Sequence, residues 1–185
     1  MFKYRNFKQN MGQEIDHLLE KMCDKNEAEA YLFADKLAKI NSEEVVLKLI
    51  GILKGDDIEN AYLAARALGQ MESKHNALNT LLEVIHDKKN QHNNGGLVEM
   101  LGNFDLSYKF VDLFRIYLFG NFKSSILAKN YLDTVEFEIS PRVLKKVEKH
   151  WNHYCHNVSQ EAADYQVKYS EAQEIIQELK QILAE

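Results

Sequence analysis

The sequence of 185 residues contains little proline and little cysteine. Its single proline, Pro141, favours an all-helical protein, because proline usually marks turns and strand edges. The two cysteines, Cys23 and Cys155, are too few and too far apart for a disulfide scaffold or a structural zinc site. They therefore predict a reducing compartment, which we take to be the cytoplasm. No stretch approaches about 18 consecutive apolar residues, so we expect no contact with a membrane.

Neither sign of charge dominates, since 23 basic residues stand against 28 acidic ones and the formal net charge is −5. This mild acidity argues against nucleic acid as a general partner, because affinity for nucleic acid comes largely from cationic contacts to phosphates. Residues 1–8 carry positive charge without an apolar stretch behind them, which predicts no signal peptide. With 45% hydrophobic residues, the chain is expected to bury the core of one soluble domain.

Apolar residues recur every three or four positions and never alternate over a long stretch, which predicts helices and no strands. We expect helix N-caps at Ser42, Asp56 and Ser140. Gly55 and Gly120 should close helices in the left-handed conformation. The pattern predicts helices over 9–23, 27–40, 43–54, 57–71, 75–87, 93–103, 107–119, 123–136, 141–157 and 160–184.

The predicted helices form pairs that repeat along the chain. Leu37, Leu68, Leu101 and Leu132 occupy equivalent places near the ends of the first helices, at spacings of 31, 33 and 31 residues. One helix pair cannot bury its apolar stripe alone, whereas stacked pairs share a continuous core. We therefore predict an all-α fold, an α-α superhelix (solenoid) of about four helix pairs with capping helices at both ends. The predicted single domain, 1–185, comprises repeats 27–54, 57–87, 93–119 and 123–157 and the C-terminal helix 160–184.

Two segments carry a resemblance to a known repeat. Residues 57–71 form an alanine-rich helix that ends in Ala-Leu-Gly-Gln-Met, and residues 96–104 read Gly-Leu-Val-Glu-Met-Leu-Gly-Asn-Phe. Both resemble short HEAT-like repeats of the bacterial PBS-lyase type, most clearly over 57–118. The resemblance implies an α-solenoid. Because some HEAT-like proteins are DNA glycosylases and others are bilin lyases, the resemblance also implies these two enzyme activities as alternatives.

Histidines are concentrated in one predicted helix. His150, His153 and His156 lie three residues apart, so neighbouring pairs share a helical face and have the spacing of metal ligands. No third or fourth ligand is evident in the pattern. We therefore predict exposed histidines beside a core-facing Trp151 and Tyr154, and no metal.

The same helix carries a basic stripe, formed by Arg142, Lys145, Lys146 and Lys149. These positions share one face, because residues three, four and seven apart are neighbours on a helix. Three interpretations stay open at this stage: a solvated helix face, a surface for an acidic protein, and a surface that follows nucleic-acid phosphates.

Aromatic residues are dense over 104–122. Phe110, Phe114 and Tyr117 have the spacing of a helix core. Phe119 and Phe122 flank a predicted loop between repeats, where they either pack beneath the loop or form part of a binding patch.

The last segment, 159–185, holds six acidic residues and two lysines. We predict that it caps the repeats, although an acidic surface for a basic protein is the alternative. Its predicted docking residues are Ile175, Leu179 and Ile182, and its predicted outward residues are Glu171, Glu174 and Glu178.

No motif for a catalytic nucleophile, a phosphate-binding loop or a dinucleotide site occurs, so we predict no catalytic residue and no cofactor. The favoured function is a non-enzymatic protein-binding module that uses the concave face lined by the second helices. Its partner would be a toxin, which makes the chain a bacterial immunity protein, or a protein bound in an adaptor role. The alternatives are a nucleic-acid-acting enzyme of the DNA glycosylase type and a bilin lyase-like protein. The predicted partner-binding residues are Asn79, Glu83, Asp112, Arg115, Lys145, Lys149, Phe119 and Phe122.

Overall fold

A computed structural model of the protein describes residues 2–72 and 76–184, with the backbone alone for residues 2–10. Over these residues the chain forms ten α-helices and two 3-10 turns, and it contains no strand, which confirms the all-α prediction. The helices are α1 Phe2–Cys23, α2 Ala30–Ile40, α3 Glu43–Leu53, α4 Ile58–Gln70, α5 Ala77–His86, α6 Gly95–Met100, α7 Phe110–Phe119, α8 Phe122–Thr134, α9 Pro141–Asn157 and α10 Tyr165–Ile182. The 3-10 turns are Lys88–Asn90 and Leu101–Asn103.

The helices are grouped in two compact units, Met1–Phe104 and Asp105–Glu185. The boundary falls within the third predicted repeat, 93–119, so that α6 belongs to the first unit and α7 to the second. Packed helix pairs are present in each unit, whereas the solenoid arrangement of the whole chain stays a prediction.

In the first unit, α4 packs between α2 and α6, and α3 packs against both α4 and α5. The repeated leucines of the sequence lie at the centre of this packing, because Leu37, Leu68 and Leu101 are all completely buried. Leu132, the fourth of the series, belongs to the second unit and is only half-buried.

Small residues allow the helices of the first unit to approach closely. Ala61, Ala64 and Ala65 of α4 are buried. A Cβ placed on Gly69 would lie 2.6 Å from the Cβ of Asn103, so no larger residue fits there without a shift. The alanine-rich helix and its terminal glycine therefore serve close packing against the turn that follows α6.

In the second unit, α7 packs against α8 and α9, and α9 packs against α10. Phe114 of α7 and Val147 of α9 are completely buried, and Tyr154 is 1% exposed. The ring of Phe114 is 6.4 Å from that of Phe110 and 6.5 Å from that of Tyr117, as the helical spacing of these aromatics predicts.

Two of the three predicted N-caps are confirmed. The Ser42 hydroxyl accepts a hydrogen bond from the Val45 amide, and the Ser140 hydroxyl accepts one from the Val143 amide. The prediction of Asp56 is wrong by one residue, because Asp57 accepts from two amides of the first turn of α4, at 3.0 and 3.1 Å. The Asp56 carboxylate instead pairs with Lys89 at 2.6 Å.

The prediction that Gly55 and Gly120 close helices in the left-handed conformation is wrong. Among the described residues only Asn41, which ends α2, has a positive φ, at 45°. Gly120 is extended, with φ −71° and ψ 162°. Position 120 requires glycine because a side chain has no room there: a Cβ would lie 2.5 Å from the Ile116 carbonyl oxygen and 3.0 Å from the Ser124 Cβ.

Replacing Gly120 with alanine is expected to lower the free energy of unfolding by about 1–3 kcal/mol, because the added methyl group overpacks the α7–α8 connection. The matched control is Gly51→Ala in the last turn of α3, where a Cβ meets nothing within 4 Å. That control should raise the free energy of unfolding by about 0.5–1 kcal/mol, since alanine loses less backbone entropy in a helix. Urea unfolding followed by circular dichroism measures both changes, and equal effects of the two substitutions would contradict this explanation.

Candidate functional site

Helix α9 is held firmly at its start and along one side. It begins at the capping residue Ser140, and proline occupies its first position, where the missing amide hydrogen has no consequence. Val147 and Tyr154 are buried toward α7 and α10. The Trp151 ring lies 4.9 Å from that of Tyr169 on α10. This packing leaves the opposite side of α9 facing solvent.

Helices α7 and α9 run parallel. Before α9 begins, the Phe137 ring lies 5.0 Å from that of Phe110, at the start of α7. Near the end of α9, the His153 ring lies 5.6 Å from that of Phe119, at the end of α7. The two contacts occur in the same order along both segments, so α7 and α9 run in the same direction. Residues one turn before the second contact therefore lie at about the same level.

This parallel arrangement brings the basic stripe of α9 beside a cation of α7. Arg115 is one turn before Phe119, and Lys149 is one turn before His153, so Arg115 and Lys149 lie at the same level of the unit. Arg115 and the four cations of the α9 stripe are all exposed. We call Arg115, Arg142, Lys145, Lys146 and Lys149 the cationic face.

The cationic face differs from most other basic residues of the described chain in its ion pairing. Lys25 contacts Asp57 at 2.7 Å, and Lys89 contacts Asp56 at 2.6 Å. Arg66 pairs with Asp35 through two hydrogen bonds. In contrast, no carboxylate oxygen of the described residues lies within 4.0 Å of a cationic nitrogen of this face. Its charges therefore remain available to a negatively charged group outside this chain.

The predicted partner-binding residues fall into both units. Asp112, Arg115, Lys145 and Lys149 lie on the paired helices α7 and α9 of the second unit, where Asp112 is half-buried and the others are exposed. The others are Phe119 and Phe122 of the second unit and Asn79 and Glu83 of the first.

The two phenylalanines differ from each other. Phe119 is half-buried and packs against Tyr154, with ring centres 5.8 Å apart, as well as against His153. Phe122 is 83% exposed at the start of α8. Of the two alternatives for these rings, packing within the protein applies to Phe119, whereas the exposed Phe122 ring can contact a partner.

Asn79 and Glu83 lie on the exposed side of α5, in the first unit. The Glu83 carboxylate is 3.6 Å from the Lys54 ammonium group, which links α5 to the end of α3. Lys54 and Glu83 border a polar pocket of about 200 Å³ that Asp87, Lys89 and Asn90 also line. Because the pocket holds charges of both signs, it favours no single class of ligand.

The histidines of α9 interact with their own helix. The Nδ1 atom of His156 lies 2.6 Å from the Asn152 carbonyl oxygen. The Nδ1 atom of His153 lies 3.0 Å from the Asn157 side-chain nitrogen. Within the part of the chain that the structure describes, no three His, Cys, Asp or Glu side chains are grouped so that they could hold a metal ion.

Of the predicted docking residues of α10, Leu179 is buried as expected and Ile175 is half-buried, but most of the buried side consists of residues that the sequence pattern did not single out. Ile182 was predicted to dock but is 56% exposed, and Glu171 was predicted to face outward but accepts a hydrogen bond from the Tyr117 hydroxyl at 2.6 Å. Glu174 and Glu178 are exposed as predicted. The buried side of α10 consists of Tyr165, Lys168, Ala172, Ile176 and Leu179.

Lys168 is the unexpected member of this buried side, with 7% exposure. Its ammonium group donates to the Leu118 carbonyl oxygen at 3.3 Å and pairs with Asp164 at 2.9 Å. The cation thereby satisfies a carbonyl at the end of α7, where the helix dipole is negative. A sequence signal was present, because Tyr165, Lys168, Ala172 and Leu179 follow helical spacing, but a lysine in that series is ordinarily assigned to solvent.

Tyr117→Phe is expected to weaken the loss of stability at alkaline pH. Burial, and then the hydrogen bond to Glu171, raise the pKa of Tyr117. An unfolded tyrosine titrates near pH 10, so the contribution of this group is complete below about pH 10 and is lost as pH rises toward the folded-state pKa. Removing the hydroxyl should therefore flatten the decline of unfolding free energy above about pH 10.

Denaturant melts over this range measure the effect. Tyr108→Phe is the matched control, because Tyr108 is 76% exposed and its removal should leave the slope unchanged. Burial also raises the pKa of Tyr154 to about 12, so part of the decline should persist in the Tyr117 variant. A slope that is the same in wild type and both variants would show that Tyr117 does not carry the effect.

One feature of the first unit was missed by sequence reasoning. A groove of about 360 Å³ lies between α4 and the start of α6. Gly96 keeps it open, because a Cβ there would lie 3.1 Å from the Tyr62 ring. The groove is lined by Ile58, Glu59, Tyr62, Leu63, Asn93, Gly96 and Leu97.

No described helix is both long enough and apolar enough to cross a membrane. Comparisons with protein-family models, with curated proteins and with solved structures find no match to this chain. What the protein does must therefore be argued from its own surface.

Proposed function

We propose that this chain is a non-enzymatic protein-binding protein of the cytoplasm, and that its cationic face holds the acidic surface of a partner protein. The observation that carries the proposal is the lack of a carboxylate partner, among the described residues, for any member of this face. Two other lysines of the second unit do have carboxylate partners. Lys129 pairs with Asp133 at 2.7 Å, and Lys180 pairs with Glu148 at 3.0 Å.

A concentration of unpaired charge favours association with a complementary surface. Cations grouped on one face raise the local potential, which steers an acidic partner toward it and increases the association rate. Each exposed ion pair contributes only about 0.2–1 kcal/mol, so several must form together. Members of the cationic face are held on two packed helices, and little backbone order has to be gained when the partner binds.

Aromatic side chains supply the apolar contacts that a protein interface needs. Tyrosine and phenylalanine are enriched where partners bury surface, because they offer a large contact area with few rotatable bonds. In the second unit, Phe122 is 83% exposed and Tyr108 is 76% exposed. Both are candidates for contact outside the cationic face.

Two roles fit such a binding protein. In the first, the chain is a bacterial immunity protein of HEAT-like type, and the partner is a toxin whose active site it covers. In the second, it is an adaptor that joins proteins without changing their activity. An assay of the partner's activity separates these roles, because only the immunity role requires that activity to fall in step with occupancy.

A nucleic-acid partner is the competing interpretation, because phosphates also bind grouped cations. In that case, binding to duplex DNA would appear at low salt and would weaken steeply as salt increases. The glycosylase-type and bilin lyase-like enzymes that the HEAT-like resemblance brings in would further require turnover of a nucleic acid or a bilin. We give preference to a protein because the chain as a whole is acidic, with a formal net charge of −5.

The test is affinity capture from the native host with wild-type protein and two charge variants. Lys145→Glu with Lys149→Glu reverses the cationic face, and Lys39→Glu with Lys88→Glu makes the same change of net charge on exposed lysines of the first unit. We expect wild type and the control to recover the same stoichiometric protein, and the face variant to lose it. Equal recovery by the face variant, or recovery of nucleic acid in place of protein, would overturn the proposal.

A further inference from the structure

The outward side of α10 carries acidic residues that lack a cationic partner among the described residues. Glu174 and Glu178 are exposed, and no lysine, arginine or histidine nitrogen of the described chain lies within 4.0 Å of either carboxylate. On the same side, Ile182 at the end of α10 is 56% exposed and offers apolar surface beside the two acids. We call Glu174, Glu178 and Ile182 the acidic ridge; Glu171 does not belong to it, because its carboxylate accepts a hydrogen bond from the Tyr117 hydroxyl.

The acidic ridge has the same spacing as part of α9. Its members follow one another at intervals of four residues, and so do Lys145, Lys149 and His153. If two such helices lie side by side in parallel, each cation meets an acid at the same level, because the rise per residue is equal. In the antiparallel direction Ile182 would lie at the level of Lys145, and only Lys149 of the two lysines would meet a glutamate.

The last position of each series also matches in character. The His153 ring packs at a tilt against that of Phe119, with centres 5.6 Å apart, so an aromatic surface follows the cations of α9. Ile182 follows the acids of α10 and is exposed. In the parallel register the isoleucine meets this aromatic surface, so that apolar contact accompanies the charge pairs.

The two surfaces cannot meet within one molecule. Trp151 and Tyr169 mark the sides on which α9 and α10 face each other. At 100° per residue, Lys145 and Lys149 lie roughly 120–160° around α9 from Trp151. Glu174 and Glu178 lie roughly 140–180° around α10 from Tyr169. The cations and the acids therefore occupy opposite outer sides of the α9–α10 pair.

We propose that the acidic ridge binds the α9 cations of a second copy of this chain, helix against helix in parallel. The pairs are Lys145 with Glu174 and Lys149 with Glu178. The inference uses the surface of the proposed function and assigns it a second occupant, so that self-association and partner binding compete for the same lysines.

The contact joins different surfaces of the two copies, and this decides the form of the assembly. A contact between unlike surfaces on opposite sides does not close into a dimer, so copies add at both ends. Because α9 and α10 run antiparallel within one copy, successive copies alternate in direction. Exposed ion pairs are individually weak, so the association should appear only at high protein concentration and should disappear at high salt.

Sedimentation velocity of the full chain over a concentration series tests this inference. At about 0.1 M NaCl the Debye length is about 10 Å, so facing charges attract while the net charge of distant parts is largely screened. We expect the mean sedimentation coefficient to increase with concentration without levelling at a dimer, and to return to the monomer value at about 1 M NaCl. A monomer at every concentration would overturn the proposal.

Charge reversal identifies the surfaces. Lys145→Glu with Lys149→Glu, and Glu174→Lys with Glu178→Lys, should each raise the apparent dissociation constant at least about tenfold, because like charges then face each other. Mixing the two variants should restore association, since each provides what the other lacks. The control Lys39→Glu with Lys88→Glu should behave as wild type. Association that persists in either variant alone, or that fails to return on mixing, would contradict the pairing.

The acid variant also keeps this inference separate from the proposed function. Glu174→Lys with Glu178→Lys should lose self-association and still capture the partner protein, because its cationic face is unchanged. If no partner is captured but the mixing experiment succeeds, the proposed function fails and the self-association stands. If the partner is captured and the chain never self-associates, the reverse holds.

Discussion

Phe114→Ala is expected to lower the free energy of unfolding by about 3–5 kcal/mol. Phe114 is completely buried in α7, the helix that contacts both α8 and α9. Removing its ring deletes contacts with Phe110 and Tyr117 and leaves a cavity that these packed helices can fill only in part.

The fluorescence of Trp151 measures this effect, because it is the protein's one tryptophan and lies in the same unit. Phe122→Ala is the matched control, since Phe122 is 83% exposed. That control should change the free energy of unfolding by no more than about 0.5 kcal/mol. If both variants lose stability equally, the burial assigned to Phe114 is wrong.

Leu68→Ala is expected to cost about 2–5 kcal/mol in the first unit. Leu68 is completely buried near the end of α4, which packs against α2, α3 and α6. Thermal and denaturant melts followed by far-UV circular dichroism give the magnitude. Leu47→Ala on α3 provides the control, because Leu47 is 63% exposed and makes correspondingly few buried contacts. Melts of Leu68→Ala that coincide with those of the parent would contradict the expectation.

Most helix positions could be predicted from the sequence, because the signals for them are local. Apolar spacing depends on neighbouring residues, and the caps at Ser42 and Ser140 act within three residues. The repeated leucines were also informative, since Leu37, Leu68 and Leu101 are all completely buried. These features require no knowledge of which helix packs against which.

The predictions that were wrong involve groups brought together from distant parts of the chain. Asp56 has the chemistry of a cap, yet Lys89 binds it from 33 residues away, and its neighbour Asp57 caps the helix. Gly120 has the position of a left-handed residue, yet it is required by crowding against Ile116 and Ser124. Local pattern indicates that a residue is special, but the contact that makes it so is tertiary.

Helix α10 shows the same limit at the level of a whole face. Three glutamates look equivalent in sequence, yet Glu171 is bound by Tyr117, 54 residues away, while Glu174 and Glu178 remain exposed. Lys168 is buried because a helix end at Leu118 presents an unsatisfied carbonyl to it. Helical spacing alone cannot show which of two apolar stripes is the buried one.

The sparse proline, the two isolated cysteines and the three-and-four spacing of apolar residues determined an all-helical chain, because helix formation is governed mainly by residues within one or two turns. The same spacing placed Arg142, Lys145, Lys146 and Lys149 on one face of α9. Only the tertiary structure decided that Arg115 joins them and that these charges stay unpaired while most other cations find a carboxylate. Ion pairing depends on distances of a few ångströms between segments far apart in sequence, and those distances exist only once the helices have packed.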